Sequence, residues 1–366
     1  MRFRHFFKSI FIVFLVFTQS SLAQEINPTR PAMLQDDNYT EYWEQHFYLD
    51  DGTLITSQFL AANFPWPVGK DHGIMLGSLV TPEGKLYVIK NGRDLGEWGF
   101  DQNALDMFIH THRLKGGTNG YSVHLENTMG IVDLELKSNQ APFKHKKYES
   151  DDGFIQTSFY APSLTGKGNW QLGPEAGFKP SGPVHNIGAA NGFGVHVLMT
   201  DKVDKLMRNW TRVIGIGDSA IKPFLSAITR PDDTKDISFR LFDGNNLMDN
   251  FSNVKIENKN ITKEKDASYP KVIEISASSE KGSISGTIKY SKKLAHFNLT
   301  EHLNFFEKSF ARSNPVVANF RYLVDYDLVY KTSEGEQKLT GKAFSEYTDI
   351  APAKKAPAKK RRRSRR

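Results

Sequence analysis

The chain has no cysteine among its 366 residues. That excludes disulfides, thiol catalysis and Cys-ligated zinc or iron–sulfur centres. Beyond residue 23 it lacks any run of about 20 apolar residues, the length of a helical membrane span. It has no βαβ rhythm and no phosphate-cradling glycine loop after a strand. A serine-hydrolase elbow is missing too: Gly217-Asp218-Ser219-Ala220 falls short of G-x-S-x-G. Neither a cofactor nor a metal is expected.

The body also lacks a net basic charge, although the whole chain has a formal charge of +7. Nine of the 48 Lys and Arg lie in residues 351–366 and three more are Arg2, Arg4 and Lys8, while all 41 Asp and Glu lie in 24–350. The body is therefore mildly acidic and does not read as a nucleic-acid-binding domain. Residues 1–23 read as a secretory signal peptide, with a basic start, the apolar run Ile10 to Phe17 and Ser21-Leu22-Ala23 before the expected cut. A periplasmic or secreted location is expected, with 24–40 as a linker. The tail APAKKAPAKKRRRSRR reads as disordered and as a contact for an anionic envelope surface, with no specific nucleic-acid partner.

What fills the body is short β-type segments set apart by turn pairs. They include Asp51-Gly52, Glu83-Gly84, Asn91-Gly92, Gly116-Gly117, Asn119-Gly120, Asp243-Gly244, Lys281-Gly282 and Glu334-Gly335. Phe320, Tyr322, Val324, Tyr326, Leu328 and Tyr330 recur at period two, with Arg321, Asp325 and Asp327 on the other face. Val203, Leu206, Met207 and Trp210 recur at helical spacing behind Thr200 and Asp201, which predicts a short helical insertion over 201–212. The Gly- and Pro-rich stretch 173–194 places a domain boundary, giving 41–180 and 181–350. The expected fold class is all-β, with two tandem antiparallel barrels, a short helical insertion and a disordered C-terminal tail.

Several segments of the first half carry a resemblance. They are Glu41-Tyr42-Trp43-Glu44, His46-Phe47-Tyr48-Leu49, Gly120-Tyr121-Ser122-Val123-His124, Gly130-Ile131-Val132-Asp133-Leu134-Glu135-Leu136, Phe159-Tyr160-Ala161-Pro162 and Leu164-Thr165-Gly166-Lys167-Gly168. In this order they resemble the lipocalin-like superfamily that groups stress survival factor, AttH-domain proteins and carotenoid 1,2-hydratase, with tocopherol cyclases and fungal Diels–Alderases. The resemblance covers about residues 40–172 and, more weakly, 318–350. It implies two lipocalin-like barrels with cavities for a hydrophobic molecule and no dissociable cofactor. The chain departs from the pattern at Gly192 to Asp201, where no Trp-Gly follows, so the hydratase-type carboxylate has no assigned position.

Candidate site residues come from types and spacing. His110 and His112, two apart, would share one face of a strand and line a polar cavity mouth. Alkene chemistry needs a protonated carboxylic acid and a cation-stabilising aromatic wall. Asp106 near His110 is the first choice for the acid, ahead of Glu97 beside Trp98 and of Asp201 or Asp204 near Trp210. Trp66, Trp98, His112, Tyr322 and Tyr326 are the expected ligand-binding residues, with Asp106 and His110 catalytic. The expected function is an exported, monomeric carrier of a lipid or isoprenoid. The alternatives are a cofactor-independent hydratase or cyclase and an envelope interaction protein without a ligand.

Overall fold

A computed structural model describes residues 31–351 apart from 65–68, 94–95, 102, 118–119, 139, 152, 218, 245, 265–266 and 299–315. The signal-peptide reading, the basic tail beyond 351 and Trp66 lie outside the described residues.

The first sheet holds β1 (Thr40–Leu49), β2 (Leu54–Phe64), β3 (Gly69–Val80), β4 (Leu86–Arg93), β5 (Trp98–Phe100), β6 (Leu105–Ile109), β7 (His112–Gly117), β8 (Gly120–Asn127), β9 (Gly130–Ser138), β10 (Phe143–Lys144), β11 (Tyr148–Glu149), β12 (Phe154–Leu172) and β13 (Val184–Met199). After a single helical turn, α1 (Val203–Leu206), the second sheet holds β14 (Asn209–Ile216), β15 (Ile221–Thr229), β16 (Lys235–Asp243), β17 (Asn246–Phe251) and β18 (Asn253–Lys259). The hairpin of β19 (Thr262–Glu264) and β20 (Ala267–Tyr269) stands apart. Then β21 (Val272–Ser278), β22 (Gly282–Asn298), β23 (Val316–Thr332) and β24 (Gly335–Ala351) complete the second sheet. One sheet curls into a half-barrel and the other into a nearly closed barrel.

The two sheets share a plan. In the first the order runs β4-β3-β2-β1-β13-β12-β9, and in the second β17-β16-β15-β14-β24-β23-β22. Each opening strand, β1 or β14, therefore pairs with the closing strand of its own sheet. Every strand pair in both sheets is antiparallel, which suits the hairpin turns of the sequence.

The sheets part between Met199 and Asn209, not at 180/181. Gly188, Gly192 and Gly194, which suggested a boundary, lie inside β13. Gly192 and Gly194 are there because neighbours come close, whereas Gly188 faces open space. A Cβ on Gly192 would stand 1.9 Å from the His46 carbonyl, and one on Gly194 would enter the Tyr160 ring. The helix expected over 201–212 shrinks to four residues, because Asn209 to Ile216 pairs with β15 and β24. Asn91-Gly92 and Gly116-Gly117 lie within β4 and β7, not in turns.

Three apolar cores result. Trp43, Phe47 and Leu49 of β1 point into the first barrel with Met75, Leu134 and Tyr160. Val213 of β14 and Ala343 and Tyr347 of β24 point into the second with Phe239, Phe320 and Tyr322. The opposite faces of the same strands meet in a third core. There Tyr42, Phe193, Val195 and Val197 pack with Trp210, Ile214, Phe224 and Phe344. The seam between the barrels is thus an interior of its own. At about 1.5–3 kcal/mol for each fully buried Val, Leu, Ile or Phe, it holds the two halves as one body.

Candidate functional site

Period two puts Glu44 and His46 of β1 on the seam face. It puts Arg212 of β14 there, between Trp210 and Ile214, and Glu346 of β24 directly opposite Arg212 in register. The four side chains close a ring. Arg212 Nη1 donates to Glu44 Oε2 at 2.7 Å, and Arg212 Nη2 donates to Glu346 Oε1. On the other side His46 Nε2 lies 2.8 Å from Glu44 Oε1, and its Nδ1 lies 3.1 Å from Glu346 Oε2. The His46 ring stacks on Phe193, centroids 4.7 Å apart and nearly parallel. Trp210 lies under the guanidinium of Arg212 at 4.4 Å.

Burial alone would raise the pKa of Glu44, but Arg212 and His46 outweigh it and hold the carboxyl well below its ordinary range. Glu346 is shifted down for the same reasons, burial opposed by Arg212 and then His46. Arg212 shows the reciprocal effect: desolvation weakens its charge and the two carboxylates more than restore it. Both acids are therefore ionised, and Arg212 spans the two barrels as their shared counter-charge.

Arg321 of β23 enters beside the ring. Its Nε donates to Asn319 Oδ1 at 2.9 Å and its Nη1 to Ser78 Oγ of the first barrel at 2.6 Å. Asn319 donates to Glu346 Oε1 at 2.6 Å, and Ser78 shares a 2.7 Å hydrogen bond with Thr56. Around these groups lies a cavity of about 230 Å³. Glu44, Thr56, Ser78, Arg212, Asn319, Arg321 and Glu346 form its polar part, and Leu60, Leu76, Met199, Met207, Val317 and Ile350 its apolar wall. At about 30 Å³ per water, it has room for about eight waters or one compact organic group.

Glu44, His46 and Glu346 place a ligating atom each within 4.8 Å of one another, the donor set of a cation site. The charges argue against one. Arg212 already lies between the two carboxylates, and Arg321 Nε stands 4.0 Å from Glu346. A divalent ion would face two guanidinium groups in a dry setting.

A second polar contact crosses the seam. His145 Nε2 lies 2.9 Å from Ser226 Oγ, and His145 Nδ1 lies 3.3 Å from Asp236 Oδ1. The order is that of a serine-hydrolase triad, but Ser226 is 0% exposed and its oxygen accepts from Trp210 Nε1 at 2.8 Å. It ties the barrels together and offers no accessible nucleophile.

The residues singled out from sequence do not gather here. Asp106 makes a two-pronged pair with Arg113, at 2.8 and 2.7 Å, whose hydrogen bonds lower its pKa. That is the opposite of the shift an acid catalyst needs. His110 and His112 do not share a strand face. Ile109 pairs with His112, so His110 and Thr111 form a two-residue hairpin turn, with His110 at φ 56°. His112 is buried, and its Nδ1 accepts the Glu126 backbone N–H at 3.1 Å. Trp98 lies flat over Gly73 and donates to the Asp71 carbonyl at 2.8 Å. Tyr322 and Tyr326 fill the second barrel, Tyr322 against Tyr290 at 4.4 Å and Tyr326 bonded to the Ile221 carbonyl at 3.2 Å. Among the described residues Asp349 is the carboxyl that burial pushes up, and it binds the Ser268 N–H outside the seam cavity. Asp201, expected as a helix cap, is buried beside α1 and accepts from the Lys202 N–H at 2.7 Å.

No protein-family model matches the chain, and no curated protein matches its sequence. Solved structures do match. One is CghA with Sch210972, at TM-score 0.60 and 8% identity over 86% of this chain and 89% of that one. Another is an AttH protein, NE1406 of Nitrosomonas europaea, at 0.56 and 13% over 88% and 99%. A third is kievitone hydratase of Nectria haematococca, at 0.51 and 9% over 85% and 89%. The fold is thus that of the lipocalin-like, AttH-domain grouping which the first-half motifs resemble.

Proposed function

We propose that this chain binds an amphipathic small molecule at the seam between its barrels, with the polar group of the ligand toward Arg321 and the ionic ring. The observation that supports this is the seam cavity itself, where buried ionised groups share one concavity with an aliphatic wall. Ligand sites between packed units commonly combine an apolar wall with a few fixed polar groups. CghA was solved with a small molecule bound, which is consistent with this class of ligand. At 230 Å³ the cavity suits a compact body, so a long isoprenoid would run out of its mouth. Export and contact of the basic tail with an anionic envelope surface belong to the same proposal and rest on residues 1–23 and 351–366 of the sequence.

The second reading is a cofactor-independent lyase or cyclase, and the name kievitone hydratase states a hydratase for that protein. One observation favours it. His46 stands behind the cavity wall, between two ionised carboxylates that line it, where an imidazole can exchange a proton with the ring. Neither glutamate is the protonated acid that alkene hydration requires.

Native mass spectrometry of the purified chain after incubation with a lipid extract of its source tests the binding reading. A stoichiometric adduct is expected. A bare mass under conditions that preserve the fold would overturn it, and an adduct recovered chemically altered would favour the enzyme.

A further inference from the structure

We propose that the ligand of the seam cavity carries an anionic oxygen group, a carboxylate or enolate, and that Arg321 is the residue that reads it. This deepens the binding reading above and rests on it. The contrast between the two buried arginines carries the argument. Arg212 donates to two carboxylates, one from each barrel. Arg321 is 5% exposed, yet its two hydrogen-bond acceptors, Asn319 and Ser78, are neutral. The nearest carboxylate oxygen, Glu346 Oε2, is 4.0 Å from its Nε, and the oxygens of Glu346 are shared among Arg212, Asn319 and His46. Among the described residues nothing accepts from Arg321 Nη2, and the side chain lines the cavity.

Glu44 and Glu346 balance the two arginines in formal charge, but a buried guanidinium edge that no acceptor meets is still unfavourable unless something completes it. Burial lowers the pKa of Arg321, and Glu346 and Glu44 do not make up the loss, which agrees with the geometry. Asn319 and Ser78 fix the guanidinium plane, so its free edge is aimed before any ligand arrives. A planar anion can accept from such a fork with two oxygens. The aliphatic wall opposite then takes the rest of the molecule.

The test compares two probes of one shape, 2-naphthoate and 2-naphthamide, by calorimetric titration of the whole chain. Charge-assisted hydrogen bonds predict at least about ten-fold tighter binding of the naphthoate. Arg321→Gln should bring the two probes to within about three-fold by weakening the naphthoate alone, and Arg321→Lys should restore part of the preference. Leu60→Trp, which fills the apolar side, should abolish both. Equal binding of the probes by the wild-type chain overturns the proposal without touching the binding reading, and so does a preference that survives Arg321→Gln. Should Arg321→Gln fail to fold, the wild-type comparison and Arg321→Lys still decide. If neither probe binds, or both still bind Leu60→Trp, the seam reading falls and this inference with it.

Discussion

The insides of the two barrels and the seam between them are built from the same strands, yet they bury different things. Inside, the first barrel closes its polar groups on one another. Glu41 meets His196 at 2.6 Å and the Tyr39 hydroxyl, and Gln45 bridges Tyr160 and Ser57. The second barrel is lined by Phe320, Tyr322, Tyr326 and Tyr330. The seam instead buries an arginine with its two carboxylates and a second arginine with none of its own beside an open cavity. An interior packed on itself gives stability. An interior with a cavity and a guanidinium edge that no acceptor meets has the means for recognition as well, and that difference is why binding is proposed at the seam.

Four experiments would break or sharpen that contrast. Arg212→Met should cost about 3–5 kcal/mol, because it strands two buried carboxylates. Adding Glu44→Gln and Glu346→Gln to it should recover much of the loss, as chemical denaturation will report. Phe47→Ala, inside the first barrel, should cost about 3–5 kcal/mol as well. Unlike the seam variants, it should leave probe affinity in the surviving folded fraction unchanged.

Acid should reach the seam before the barrels. Glu44 and Glu346 have folded pKa values below their ordinary ones, so their contribution is complete above the unfolded value near 4.3. It is lost as pH falls from there toward the depressed folded values. Proteolysis of the 200–208 connection, followed from pH 6 downward, should therefore rise below about pH 4. The smallest effect belongs to Asp106→Asn. Its pair with the exposed Arg113 is worth about 0–1 kcal/mol, and binding should not change.

The alternation that made the fold legible also hid the site. Period two in 320–330 and the turn pairs announce antiparallel strands, and the first-half motifs resemble a grouping whose fold the chain shares. But alternation says only that a strand has two faces. In β1 nearly every residue is buried, odd positions by the first barrel and even positions by the second. Arg321, read as facing away from the aromatic row, does so, and the other face turns out to be the seam and not solvent. Charged residues within aromatic strands, such as Glu44-Gln45-His46 and Arg212, were the available signal. Arg212 lies 168 residues from Glu44 and 134 from Glu346, so no local spacing joins the parts of the ring that come from different barrels and strands. His110 and His112 show the converse, where close spacing suggested a site and a two-residue turn separates them.

The most direct test of the seam claim uses two blocking variants. Gly188 lines a second, more open cavity of about 690 Å³ on the first sheet, beside Tyr121 and Lys137, and a Cβ there meets nothing within 4 Å, so Gly188→Phe can obstruct that cavity without disturbing the core. Leu60→Trp fills the seam cavity. Native mass spectrometry of both, each incubated with the same lipid extract, should show the adduct kept by Gly188→Phe and lost by Leu60→Trp. An adduct kept by Leu60→Trp and lost by Gly188→Phe would contradict the account and place the ligand in the cavity of the first sheet.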